Sequence, residues 1–206
     1  MWVSKLVLNP RSKAARKDLA SPYEMHRTLS KAVSQALKEG KERLLWRLEP
    51  TRSLEAPVVL VQTLTEPDWS VLEKDYAEVF PPKPFTPVLR EGQVLRFRLR
   101  ANPSKRAKDR GERVALKTPA EKTFWLERKL VEGGFRLCTD EEAKPMVRIL
   151  QDTFLEVRKS GHLIQVQAVL FEGTLEVVNP EKALQTLSRG IGPGKALGLG
   201  LLSLRP

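Results

Sequence analysis

Residues 2–8 alternate apolar and polar side chains with period two, the pattern of a strand. Residues 9–20 are polar and basic, a loop with a helical turn. From Ser21 the period changes. Met25, Leu29, Ala32, Val33, Ala36 and Leu37 recur at helical spacing and predict one helix ended by Gly40. Ser21 stands as N-cap, Pro22 at the first helical position and Glu24 three residues on, the S-x-x-E pattern of a capping box. Strands are expected at 44–49 and 58–65, and a shorter helix at 70–79. The proline-rich run at 81–87 must be extended or turning. At 93–101 the alternation is clean: Leu95, Phe97 and Leu99 face one way, Arg96, Arg98 and Arg100 the other.

The second half repeats this order. A short strand is expected at 112–117, and Thr118-Pro119-Ala120-Glu121 then starts a helix that Gly133-Gly134 stops. Strands follow at 135–138, 147–157 and 163–178, the last two joined by the turn Arg158-Lys159-Ser160-Gly161. A helix at 180–187, the glycine-rich GIGPGKALGLG at 190–200 and a strand at 201–204 close the chain. Two β-α-β-β-α-β runs place the chain in the α+β class, as two tandem ferredoxin-like (RRM-like) domains at 1–102 and 103–206. A single mixed α+β domain is the competing arrangement.

Composition narrows the function. The 206 residues are 41% hydrophobic, enough for packed cores. Lysine and arginine number 36 against 25 acidic residues, a net charge of +11. Such an excess suits a polyanionic partner, nucleic acid first, although a basic solvated face also satisfies it. The charge is uneven: 96–113 is rich in arginine and lysine, 66–78 in aspartate and glutamate. One cysteine, Cys138, excludes an internal disulfide framework and a cysteine zinc site. Two histidines, His26 and His162, leave little room for a metal centre. No window approaches the ~18 apolar residues of a membrane span, and MWVSKLVLNP is too short and interrupted for a secretory core. A cytoplasmic protein without metal or cofactor is the expectation.

Three constellations carry candidate chemistry. At 100° per residue, Tyr23, His26, Ser30 and Ser34 share one edge of the capped helix. A histidine near a helix N-terminus is biased toward neutral imidazole, a proton acceptor, and the same helix end attracts phosphate. Packing against a neighbouring loop explains the pair equally. The loop at 190–200 offers glycines, among them Gly192 and Gly194, and Lys195 to a phosphate. It is not a Walker A loop, because Ala196 follows the lysine, and a flexible turn remains the alternative. Arg96, Arg98 and Arg100, continued by Lys105 and Arg106, form a stripe able to track a phosphate backbone or simply to be solvated. Arg158-Lys159 at a hairpin tip suits an RNA groove or a polar turn. The acidic residues form no carboxylate cluster fit for metal-dependent hydrolysis.

Together SPYEMHRTLSKAV, GIGPGKALGLGLLS and the opening LVLNP resemble the CasE family, the CRISPR repeat-RNA endoribonucleases of Cascade within the RAMP superfamily. The glycine loop marks the broad superfamily; the Tyr-x-x-His helix makes the resemblance specific. It implies two tandem ferredoxin-like domains and metal-independent cleavage of pre-crRNA at the 3′ base of a repeat hairpin. The product would stay bound, and other Cascade subunits would be partners. It implies His26 as the catalytic histidine and Tyr23 as its partner, with Lys31 and Ser34 near the scissile region. It assigns Lys195 and the surrounding glycines, and the hairpin around Arg158-Lys159, to RNA binding. A non-catalytic RAMP-type RNA-binding subunit is the closest alternative, and a basic scaffold for proteins a more distant one.

Overall fold

The computed structural model describes residues 1–51, 55–106, 113–159 and 162–206. The chain forms two compact units. The first comprises Met1–Thr86 with Val157–Leu163 and Lys195–Gly198; the second comprises Pro87–Glu156, Ile164–Gly194 and Leu199–Pro206.

The first unit holds β1 (Trp2–Leu8), α1 (Lys13–Leu19), α2 (Pro22–Ser30), α3 (Ser34–Lys38), β2 (Leu45–Leu48), β3 (Val58–Thr63), β4 (Ala77–Val79) and β5 (Lys83–Pro84). Its antiparallel sheet runs β2-β3-β1-β4, with β5 also on β1. This is the ferredoxin-like order, with the first strand inside and the last at an edge. Leu6 and Leu8 of β1, Val59 and Val61 of β3, and Met25 and Leu29 of α2 share one core.

Two expectations change here. The helix expected from Ser21 to Gly40 is interrupted: Lys31–Val33 is a 3-10 turn between α2 and α3. The Ser30 hydroxyl donates to the His26 carbonyl at 2.7 Å, a back-bond that bends helices. The Ala32 carbonyl accepts the Asp68 amide at 2.9 Å, a tertiary contact invisible to local spacing. Ser34 therefore opens a new helix instead of continuing the His26 edge. The helix expected at 70–79 is replaced by a 3-10 turn at Trp69–Val71 and the short β4. Trp69 sinks into the core and its indole donates to Ser4 Oγ at 2.9 Å, while Tyr76 is fully buried. These two aromatics are committed to the core of the first unit, and Val71 is left exposed, so no apolar stripe holds a helix.

The second unit holds β6 (Val94–Ala101), β7 (Ser104–Arg106), β8 (Arg113–Ala115), α4 (Pro119–Glu132), β9 (Phe135–Leu137), β10 (Val147–Lys159), β11 (His162–Val177), α5 (Pro180–Arg189) and β12 (Leu202–Arg205), with the ends of β10 and β11 falling in the first unit. The sheet runs β10-β11-β6-β12, with β9 also on β11. The alternating strand at 94–101 is thus the first strand of the second ferredoxin-like module, not the last of the first. It lies between β11 and β12, with Phe97 opposite Gly173 and Leu204. The strand expected to open the second module pairs instead with 104–106 as a two-stranded ribbon. Alternation reveals which side chains a strand buries but not which sheet it joins. Thr118 and Glu121 form a reciprocal capping box on α4, and the Asn179 side chain caps α5.

Candidate active site

The site is built on α2. The Ser21 Oγ accepts the Glu24 amide at 3.4 Å, and Pro22 fills the first helical position. The Glu24 carboxylate is engaged by Lys17 at 2.9 Å and by Arg27, and the Lys17 hydrogen bond leads in holding it below the usual carboxylate range. Beneath the helix, the Tyr76 hydroxyl donates to the buried Asp18 carboxylate at 2.8 Å and lies 3.4 Å from Met25 Sδ. The Asp18 carbonyl accepts the Ser21 amide at 3.1 Å. Asp18 therefore ties α1, the cap of α2 and the segment before β4 together.

On this helix His26 is half-buried, and burial pushes its pKa below the ordinary 6.5. Its Nδ1 is enclosed and meets no hydrogen-bond partner among the described residues. No described carboxylate thus raises its basicity or fixes its tautomer. An imidazole in this setting is neutral at pH 7 and ready to accept a proton. One turn earlier, Tyr23 is 56% exposed and presents its phenol to solvent. Lys31 caps the helix end and Ser34 opens α3, both exposed.

The end of the glycine loop comes to the same helix. The turn Lys195–Leu197 packs against both α2 and β2. It is pinned by Gly198: a Cβ there would lie 2.7–3.0 Å from three ring carbons of Trp46, and φ is +75°. Lys195 is half-buried, and burial first, then the nearby Arg43 guanidinium, lower its pKa. The glycine loop and the Tyr-x-x-His helix, which sequence spacing could only consider separately, are neighbours.

The remaining candidates lie elsewhere. Gly192 sits against the Trp125 ring, and Gly194 against Leu199. The loop is stitched shut by the Ile191 amide on the Gly200 carbonyl at 2.9 Å and the Gly200 amide on the Arg100 carbonyl at 2.7 Å. These glycines answer to packing whatever else they do. Arg96 is exposed, Arg100 is half-buried, and Arg98 is ion-paired with Glu172 on the adjacent strand. Lys105 and Arg106 are exposed on the ribbon, Lys105 at 3.9 Å from Glu121. Arg158 and Lys159 end β10, and their side chains lie outside what is described, as do residues 107–112 of the basic run. Sequence patterning does not single out Arg43, Asp18 or Tyr76, because their partners are distant along the chain. Among the described residues no group of three His, Cys, Asp or Glu side chains assembles, and no helix is long and apolar enough to cross a membrane.

A half-buried histidine, an exposed phenol one turn away and a lysine-bearing glycine turn thus lie on one ferredoxin-like module, the kinds of group that acid–base chemistry on a phosphate ester requires. The chain belongs to the CRISPR associated protein family, whose model matches residues 1–206. It is 73% identical to the CRISPR-associated endoribonuclease Cse3 of Thermus thermophilus, over all of both chains. It is 31% identical to the CRISPR system Cascade subunit CasE of Escherichia coli, again over all of both. Its fold superposes on the structure of Thermus thermophilus Cse3 bound to an RNA representing a pre-cleavage complex with a TM-score of 0.96, at 75% identity, covering 100% of this chain and 98% of that one.

Proposed function

We propose that this protein is a metal-independent endoribonuclease that binds CRISPR repeat hairpins in pre-crRNA and cleaves at the 3′ base of the stem. The observation that carries the reading is the convergence of His26 and the Lys195 turn on one helix. Neutral His26 accepts the proton of a ribose 2′-hydroxyl as that oxygen attacks the adjacent phosphorus. The new O2′–P bond forms and the P–O5′ bond breaks, leaving a 2′,3′-cyclic phosphate and, after protonation, a 5′-hydroxyl. Tyr23 orients the attacking hydroxyl or shares the proton transfer, and Lys195 offsets charge on the phosphorane. Lys31 and Ser34 line the scissile region.

Stem recognition rests on shape and backbone, because the major groove of A-form RNA is deep and narrow. Arg96, Arg98, Arg100, Lys105, Arg106 and the Arg158-Lys159 hairpin, with Gly192 and Gly194, supply the RNA surface. The protein works in the cytoplasm, keeps its crRNA product and assembles with other Cascade subunits, as the name of the Escherichia coli relative suggests. Incubation with a repeat hairpin in EDTA, followed by end-group analysis, tests the chemistry. Cyclic phosphate and 5′-hydroxyl ends are expected. Loss of cleavage in chelator, or cleavage of a strand carrying 2′-deoxyribose at the cut site, overturns it.

A further inference from the structure

The Trp46–Gly198 contact locks two chain segments together at one point. Three residues before Trp46 stands Arg43, and three before Gly198 stands Lys195. The Lys195–Leu197 turn packs on β2, two residues after Arg43, and on α2, the helix that carries His26, and Arg43 lies near enough to Lys195 for the two cations to act on each other. Juxtaposed like charges repel, and folding keeps them together here by anchoring the backbone on each side. Glu42, the acid next to Arg43 in the chain, spends its carboxylate on backbone and hydroxyl donors: it accepts the Arg43 amide at 2.7 Å, the Leu64 amide at 2.6 Å, the Thr65 amide at 3.0 Å and the Thr65 hydroxyl. Arg43 itself is exposed and holds no ion pair among the described residues.

We propose that Arg43 is a phosphate-binding residue of this site, closing with Lys195 on the non-bridging oxygens of an RNA phosphate beside the cleaved linkage. An anion between the two cations relieves their repulsion. The planar guanidinium offers a two-pronged contact that a lysine cannot reproduce. The inference rests on the ribonuclease reading above.

The test compares Arg43→Ala, Arg43→Lys, Arg43→Glu and Lys195→Ala in hairpin-RNA titrations across a salt series. Arg43→Ala is expected to weaken binding on the order of tenfold at low salt and to flatten the slope of log affinity against log salt by about 0.7–0.9 unit. Arg43→Lys should keep the slope while losing part of the affinity. Arg43→Glu should lose more than Arg43→Ala, because its carboxylate would pair with Lys195. Thermal melting of all three Arg43 variants should match the parent, since Arg43 is exposed. If Arg43→Ala leaves affinity and slope unchanged while Lys195→Ala lowers both, the clamp is refuted and the ribonuclease reading stands. If His26→Ala cleaves as fast as the parent, the reading itself fails.

Discussion

Replacing Gly198 by alanine separates two effects that the structure places at one residue. The first is conformational. Gly198 has φ +75°, a region in which a Cβ meets the backbone at a cost of roughly 1–2 kcal/mol. The second is steric: three ring carbons of the buried Trp46 stand 2.7–3.0 Å from the new methyl, and a ring wedged in a core cannot rotate away. Overpacking of this kind adds typically about 1–3 kcal/mol, so the total comes to roughly 2–5 kcal/mol. Gly40 supplies the control, with φ +69° and nothing within 4 Å of its Cβ. Gly40→Ala should therefore show the conformational cost alone. Denaturant unfolding of both variants gives the difference. Single-turnover cleavage at saturating protein gives the functional effect, because moving the Gly198 backbone moves the Lys195 turn off α2. Gly40→Ala should cleave normally, while Gly198→Ala should lose at least about tenfold, the equivalent of about 1.4 kcal/mol. The reasoning is wrong if the two substitutions destabilise equally, or if Gly198→Ala unfolds more easily yet cleaves at the parental rate.

Four further outcomes follow from the geometry. His26 is depressed by burial, so base catalysis should stay level from about pH 8 down past the ordinary 6.5 and fall only below it; a rate midpoint above 6.5 contradicts this. The same depression means the unfolded chain takes up the proton first as pH falls, so stability should drop from pH 6.5 downward through the folded value, and His26→Gln should remove that dependence in pH-resolved melts. Tyr76→Phe leaves the buried Asp18 carboxylate without its phenol donor and should cost about 1–3 kcal/mol in denaturant unfolding, with cleavage reduced more than RNA affinity because the α2 cap shifts. In the second unit, the Lys122 ammonium is buried and donates to Asp152 and to the Lys117 carbonyl at 3.0 Å, while Asp152 is one-third exposed. Asp152→Leu, which strands the buried ammonium, should therefore destabilise by about 3–5 kcal/mol, and more than Lys122→Met, which strands only the better-hydrated carboxylate.

Much of this was legible in the chain. The period of two in β1 and β6, the period of 3.6 in α2, and the Ser21 and Thr118 caps are local physics, set by neighbours within four residues. So was the pairing of Tyr23 with His26, one helical turn apart by spacing alone. Alternation could not choose a sheet for β6, because Leu95, Phe97 and Leu99 present the same apolar row to either module; hydrogen bonding to β11 and β12 decided it. The break after Ser30 depended on the Asp68 amide taking the Ala32 carbonyl, and the lost helix at 70–79 on Trp69 finding Ser4.

The sequence by itself thus determined the strands at the start of each sheet, the capped helices α2 and α4 and the one-turn spacing of Tyr23 and His26, each an outcome of short-range sterics and hydrogen bonding. Tertiary structure alone decided what surrounds that pair. It buried His26 enough to keep it neutral, set Asp18 and Tyr76 beneath its helix, and packed the Lys195 turn against that helix with Gly198 on the Trp46 ring. Those contacts join residues far apart in the chain, and no periodicity or cap encodes them: only packing, which sums over the whole core, selects which distant side chains share a site.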